Sequence, residues 1–232
     1  MIDSIDVGEV SVSYQLAGNP AGQPVVLLHG LGDSGQDWIP VLAELATTFQ
    51  VFVLDLRGHG NSSRPGTYSF ELMRDDVLGF LDAVGLTRVA LVGHSMGAVV
   101  AVLVAQAAPD RVTQLVLEDA TVPRPGDLYR PPLVAPDEPI PCDIAVVNAI
   151  RAQLTDPDPA WWEGTETVRQ PTLIVDGASS DDRQALLVAA AARMLNARVV
   201  TITAGHYVHR DQPARFLEAV VPFLRHHSTT SL

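Results

Sequence analysis

Four short stretches of the chain are rich in Val and Leu with little alternation, PVVLLHG, VFVLDLRG, RVALVGHS and TQLVLEDA, and the strand pattern resumes further on at PTLIVDG and RVVTIT. Runs rich in Val and Leu with so little alternation predict strands buried on both faces. Helix-like segments lie between them, over 38–49, 70–84, 96–108 and 181–195, with a last one in PARFLEAVVPFL; in 70–84 the apolar positions fall three and four apart. Strand and helix therefore alternate, which predicts an α/β fold with a mostly parallel central sheet, right-handed crossovers and helices on both faces. The amino-terminal VGEVSVSYQLAG differs, because its polar and apolar residues alternate with period two around a Gly-Glu turn. That pattern predicts an antiparallel pair at one edge.

The alternation stops at Thr121. Seven of the chain's 17 prolines fall between there and Pro141, and proline's missing amide donor excludes both helix and central strand. CDIAVVNAIRAQLTD then reads as a helix and PDPAWWEG as a turn into a short one. The stretch 122–168 is thus an insertion in an otherwise regular series, and such long connections commonly form a lid or pocket wall. With 232 residues, 47% of them hydrophobic, the chain can build one sizeable core, and a single domain over 1–232 is expected.

Charge narrows the partners. Acidic residues outnumber basic ones 27 to 15, for a formal net charge of −12, which disfavours nucleic acid and anionic membranes as partners. The acidic amino terminus does not read as a signal peptide, and no apolar run approaches the length of a membrane span; a cytoplasmic protein is expected. Cys142 is the only cysteine, so no intramolecular disulfide is possible, and a buried or incidental thiol is expected there. No Cys/His cluster with zinc spacing occurs, and neither a metal nor an organic cofactor is expected. Monomer and homodimer both remain open.

The candidate chemistry begins at GHSMG, residues 93–97. A strand precedes this G-x-S-x-G and a helix follows it, the context in which the pattern marks a nucleophile on a sharp turn. Gly93 and Gly97 lack the side chains that would collide as strand and helix close, and the turn lifts the Ser95 hydroxyl above the carboxyl ends of the strands. A hydroxyl needs a base to become a nucleophile at neutral pH. His206, directly after the last strand-like run and a glycine, is the candidate; His209 is its close competitor, with packing or pocket lining as its other reading. His59 and His94 read as structural, and His226 and His227 lie in the polar tail.

On these residues the chain resembles the α/β-hydrolase superfamily, in its branch of small esterase-like and C–C-hydrolase-like proteins. LLHGLGDSGQDW is similar to the family's His-Gly oxyanion loop with a following Trp, DLRGHGNSS to its Asp-x-Arg-Gly-His-Gly-x-Ser segment, and AGHYVHRDQP to its catalytic-histidine loop. The resemblance covers nearly the whole length. It implies an oxyanion hole from the backbone N–H groups of Leu31 and Met96, a device whose loss commonly costs about 2.7–4 kcal/mol of transition-state stabilisation per donor. His29 and Gly30 would shape that loop, and Asp55, Arg57 and His59 would brace its neighbours.

The acid of the triad departs from the family pattern. Relatives usually carry an aspartate about three residues beyond the glycine of PTLIVDG, where this chain has Ser180. Either Asp181 or Asp182 takes the role, or the acid comes from the end of the preceding strand, where Glu118 and Asp119 stand. Asp119 matches the position used by dehalogenases and some lipases and is favoured, because Asp181 and Asp182 also read as ordinary first-turn acids of a helix. The expected function is a serine hydrolase that cleaves an ester or related acyl bond of a small to medium apolar molecule, with His29, Gly30, Trp38, Trp161 and Trp162 as candidate pocket residues. The same site also serves C–C hydrolases, lyases, perhydrolases and cyclases in this superfamily, and a non-catalytic ligand receptor is the reading of another class.

Overall fold

The computed structural model describes residues 2–134 and 140–226. Residues 135–139 of the predicted insertion, and His227 of the tail, lie outside the described residues. Eight strands form one sheet: β1 (Ile2–Val7), β2 (Val10–Gly18), β3 (Pro24–Leu28), β4 (Gln50–Leu54), β5 (Val89–His94), β6 (Val112–Glu118), β7 (Thr172–Asp176) and β8 (Ala197–Thr201). Their spatial order is β1-β2-β4-β3-β5-β6-β7-β8. β2 runs antiparallel to β1 and β4, and every other pairing is parallel. The period-two segment thus supplies the antiparallel edge, as its alternation predicts.

The continuous apolar runs are explained by two cores, one on each face. Neighbouring residues of β3 divide between them: Val26 and Leu28 face one cluster, Val25 and Leu27 the other. The first face is covered by α2 (Phe70–Ala83), α3 (Met96–Ala107) and α4 (Ile144–Thr155), the second by α1 (Ile39–Ala46) and α8 (Pro213–His226). α3 is buried on all sides from Met96 to Ala105, which fits a helix without a polar face. In α8, Phe216, Val220, Phe223 and Leu224 form a single inward stripe.

Helix ends are set by local hydrogen bonds that hydrophobic spacing does not report. α1 is shorter than the predicted 38–49, because Ser34 caps a separate 3₁₀ turn at Gly35–Trp38 and the Thr47 hydroxyl donates to the Glu44 carbonyl. α6 (Asp181–Arg193) starts where predicted, capped by Ser180, and ends two residues early. The remaining α-helices are α5 (Pro159–Glu163) and a single turn, α7 (Val208–Asp211), where a plain loop was expected. From 119 to 143 the described residues contain no helix or strand beyond a bridge between His59 and Cys142. Cys142 is buried. No helix among the described residues is long and apolar enough to cross a membrane.

The predicted bracing of the loop after β4 is a buried ion pair. Arg57 grips Asp76 of α2 through two hydrogen bonds, with both side chains largely buried. Burial nevertheless raises the Asp76 pKa, against the pull of Arg57, so the pairing only partly offsets desolvation. Asp76→Ala is expected to cost roughly 3–5 kcal/mol in urea unfolding by stranding the guanidinium. The double variant Arg57→Met/Asp76→Leu should recover most of that loss; a double variant no more stable than the single one would contradict this view of the pair.

Candidate active site

The parallel strands β3, β5, β6 and β7 end at Leu28, His94, Glu118 and Asp176, and the loops that follow them converge at one edge of the sheet. Ser95 sits in the bend between β5 and α3 with φ 51° and ψ −112°, a conformation that side-chain-bearing residues rarely adopt. A Cβ on Gly93 would lie 2.3 Å from the Gly97 carbonyl oxygen, and one on Gly97 would lie 2.2 Å from that of Leu28. Only glycine lets strand and helix approach so closely. The Ser95 N–H donates to the Glu118 carbonyl at 3.0 Å, which ties the bend to the neighbouring strand.

His206 meets the serine. Its Nε2 lies 3.0 Å from Ser95 Oγ and its Nδ1 lies 2.7 Å from Asp119 Oδ2. A carboxylate accepts, so Nδ1 carries the proton and Nε2 is left with a lone pair facing the hydroxyl, the tautomer a base requires. Asp119 is itself in the left-handed region, at φ 50°. It is fully buried and accepts from the Gly177 N–H at 3.2 Å and the Ser179 hydroxyl at 2.9 Å, with Arg183 Nε at 3.3 Å. Asp181 and Asp182, by contrast, are exposed in the first turn of α6. Glu118 is buried against a different histidine, His209.

Leu31 and Met96 line the same cavity as Ser95, and neither N–H is engaged by another group among the described residues. Two neutral imidazoles fix the Leu31 loop. His29 accepts from the Leu56 N–H on Nε2, so its Nδ1–H donates to the Gly30 carbonyl at 2.8 Å; His59 accepts from the Gly32 N–H and turns its Nδ1 to the Arg57 carbonyl. Burial pushes the pKa of His29 down to about 4 and that of His59 down to about 3, which keeps these acceptors unprotonated at neutral pH. A Cβ at Gly30 would come within 2.8 Å of His94 Nδ1.

A family model described as the alpha/beta hydrolase fold matches residues 23–138, half of the chain. The chain belongs to the alpha/beta hydrolase fold family. Among curated proteins, "Putative carbamate hydrolase RutD" of Caulobacter sp. strain K31 is 38% identical over 108 residues, which are 45% of this chain and 40% of that one. The chain spans 31–42% of the length of the curated relatives it matches. Among solved structures, a thermophilic esterase from Thermogutta terrifontis superposes with a TM-score of 0.84 at 25% identity, over 99% of this chain and 100% of that one. The enol-lactonase from Burkholderia xenovorans LB400 gives 0.81 at 23% identity, over 96% and 100%, a likeness of fold.

In this α/β hydrolase fold a cavity of about 310 Å³ opens onto Ser95, Met96, Leu31 and His206. Its other walls correct the predicted pocket. Trp38 is fully buried on the opposite face of the sheet, its ring centroid 4.3 Å from that of His209. Trp161 packs edge-on against Phe70, and Trp162 lies between Arg124 and Arg193. None of the three tryptophans lines the cavity, and neither do His29 and Gly30. These large rings fill gaps between helices and loops, where their area is best removed from water. The cavity is walled instead by Val99 of α3, Leu128 and Arg130 of the proline-rich segment, Leu154 and Arg151 of α4, and Leu186 and Arg183 of α6. Leu128, Arg130, Arg151 and Leu154 lie within the stretch 122–168.

The competitor imidazole has a different place. His209 is buried with Nδ1 2.8 Å from Glu118 and Nε2 3.0 Å from Asp37, and its N–H also donates to Glu118. Carboxylates on both nitrogens require both to carry protons. Burial pulls the His209 pKa down, yet the hydrogen bonds and charges of Asp37 and Glu118 outweigh it and leave the pKa raised to about 9. Asp37, His94 and His209 bring ligand atoms within 4.8 Å of one another, but a doubly protonated His209 has no lone pair for a metal. His94, kept neutral chiefly by burial, turns Nε2 to the carbonyl of His206 at 2.8 Å. The His206 loop is thus pinned at His206 by His94 and at His209 by Glu118.

Because folding raises the His209 pKa, its pairing stabilises the protein fully below the free value near 6.5 and is lost as pH rises through about 9. The Tm of wild type should therefore exceed that of His209→Gln by several degrees at pH 6, and the gap should narrow by pH 10. A gap that stays constant across this range would show that His209 is not charged in the folded state.

Proposed function

We propose that this protein is a serine hydrolase that cleaves an ester or related acyl bond of a small molecule. The observation that carries the reading is the unbroken relay from Asp119 Oδ2 through His206 to Ser95 Oγ at 2.7 and 3.0 Å, facing an open cavity beside two unengaged N–H groups. In this reading Ser95 Oγ attacks the substrate carbonyl while His206 Nε2 takes its proton, and the Leu31 and Met96 amides hold the oxyanion. His206 then returns the proton to the leaving group, and water, deprotonated by the same imidazole, releases the acyl group and restores Ser95.

Two likenesses support acyl chemistry: the relative named a carbamate hydrolase and the structural neighbour described as an esterase, at 38% and 25% identity. Both bonds are acyl–heteroatom bonds that a serine nucleophile opens in the same way. The cavity, near the lower end of the usual size for ligand pockets, suits a small substrate.

A fluorophosphonate probe should label Ser95, with the adduct absent from Ser95→Ala. Asp119→Asn is expected to lower kcat by about 10³–10⁴-fold, since the imidazole would lose its correct tautomer, while Asp181→Asn stays near wild type. Loss of activity in Asp181→Asn with Asp119→Asn unaffected would overturn the assignment of the acid.

A further inference from the structure

Arginines cluster in the wall of the cavity. Three of the protein's 15 basic residues, Arg130, Arg151 and Arg183, come from three separate elements to line the same 310 Å³ as Ser95, and among the described residues no carboxylate lines it with them. Of the other twelve, six form ion pairs with carboxylates, as Arg193 does with Glu166, and six form none among the described residues. Arg130 and Arg151 make no such pair among the described residues. Their guanidinium groups donate only to the carbonyls of Tyr129, at 3.2 Å, and Pro131, at 2.9 Å, which leaves most of their N–H donors for a ligand.

Arg183 does reach a carboxylate, but that carboxylate is Asp119, already shared with His206 and Ser179. Burial lowers the Arg183 pKa; Asp119 opposes this, and the like charge of Arg130 adds to it. An adjoining hollow shares Arg130 and Arg183 and contains Asp127 and Asp182, yet Asp127 is bonded to Arg124 at 3.0 Å. Thr121, also on the cavity wall, has a buried hydroxyl without a partner. Cations held together in a half-buried wall repel one another and are costly to desolvate. An anion placed among them would reverse both effects.

We infer that the substrate carries a carboxylate, which Arg130, Arg151 and Arg183 hold while its acyl carbon faces Ser95. Guanidinium groups suit this task because their paired N–H donors match the two oxygens of a carboxylate. The inference rests on the proposed hydrolase reading and replaces the apolar substrate expected from sequence with an anionic one.

The test compares two esters that differ in one charge: the p-nitrophenyl monoester of glutaric acid and its methyl-capped, neutral counterpart. Wild type should show kcat/KM about tenfold or more higher for the acid, and that preference should shrink as salt is added. Arg130→Gln and Arg151→Gln should each bring the ratio toward one, whereas Arg74→Gln, whose arginine pairs with Asp75 away from the cavity, should keep it. Equal rates for the two esters, or a preference for the neutral one, would overturn the inference. If neither ester is cleaved, the acyl-hydrolase reading fails separately, and calorimetric titration of Ser95→Ala with glutarate decides this one. Binding abolished by adding Arg151→Gln supports it, and absence of binding overturns it.

Discussion

The site depends on one backbone bend. At Ser95 the chain passes from β5 to α3 with a positive φ, held by the Glu118 carbonyl on one side and by the crossing of Gly93 and Gly97 on the other. The strain lifts the hydroxyl off the sheet and leaves the Met96 N–H at the start of the helix without an internal partner. Nucleophile and anion donor are thus products of the same turn. The Gly97 N–H donates to the His29 carbonyl, so the same turn also fixes the loop that carries the Leu31 donor.

A second consequence follows from the end of β6. Glu118 and Asp119 are consecutive, and the strand's alternation followed by the positive φ at Asp119 sends their side chains to different histidines. Asp119 orients His206, which faces the serine. Glu118 charges and anchors His209, three residues further along the same loop. The loop is therefore held twice by adjacent residues of one strand, once for chemistry and once for position. Trp38, packed against His209, closes the second contact against the core and is a supporting residue on that account.

Strands, crossovers and the bend were legible in the sequence because each follows from local chemistry: unbroken Val/Leu runs, three- and four-residue spacing, glycines two positions either side of a serine. The choice between Asp119 and Asp181 or Asp182 was not settled by spacing, since it depends on how far the tip of β6 lies from the loop after β8, a distance no local pattern encodes. The arginines of the cavity left no signal at all. Arg130 sits in a proline-rich stretch without periodicity, and Arg151 and Arg183 look like ordinary polar positions of their helices. The tryptophans misled for a related reason: an aromatic ring beside a functional loop reads as pocket lining, yet its area gains as much by packing inside. Ser179, which bonds the Asp119 carboxylate, was likewise invisible among neighbouring small polar residues.

A crystal structure of the protein phosphonylated at Ser95 would show whether the bend presents one hydroxyl to an imidazole and to two waiting amides. Phosphorus is expected bonded to Ser95 Oγ, with its non-ester oxygen within hydrogen-bond distance of both the Leu31 and Met96 nitrogens and His206 Nε2 beside the leaving-group position. A phosphonyl oxygen turned away from those amides, or an adduct on another residue with Ser95 unmodified, would contradict it.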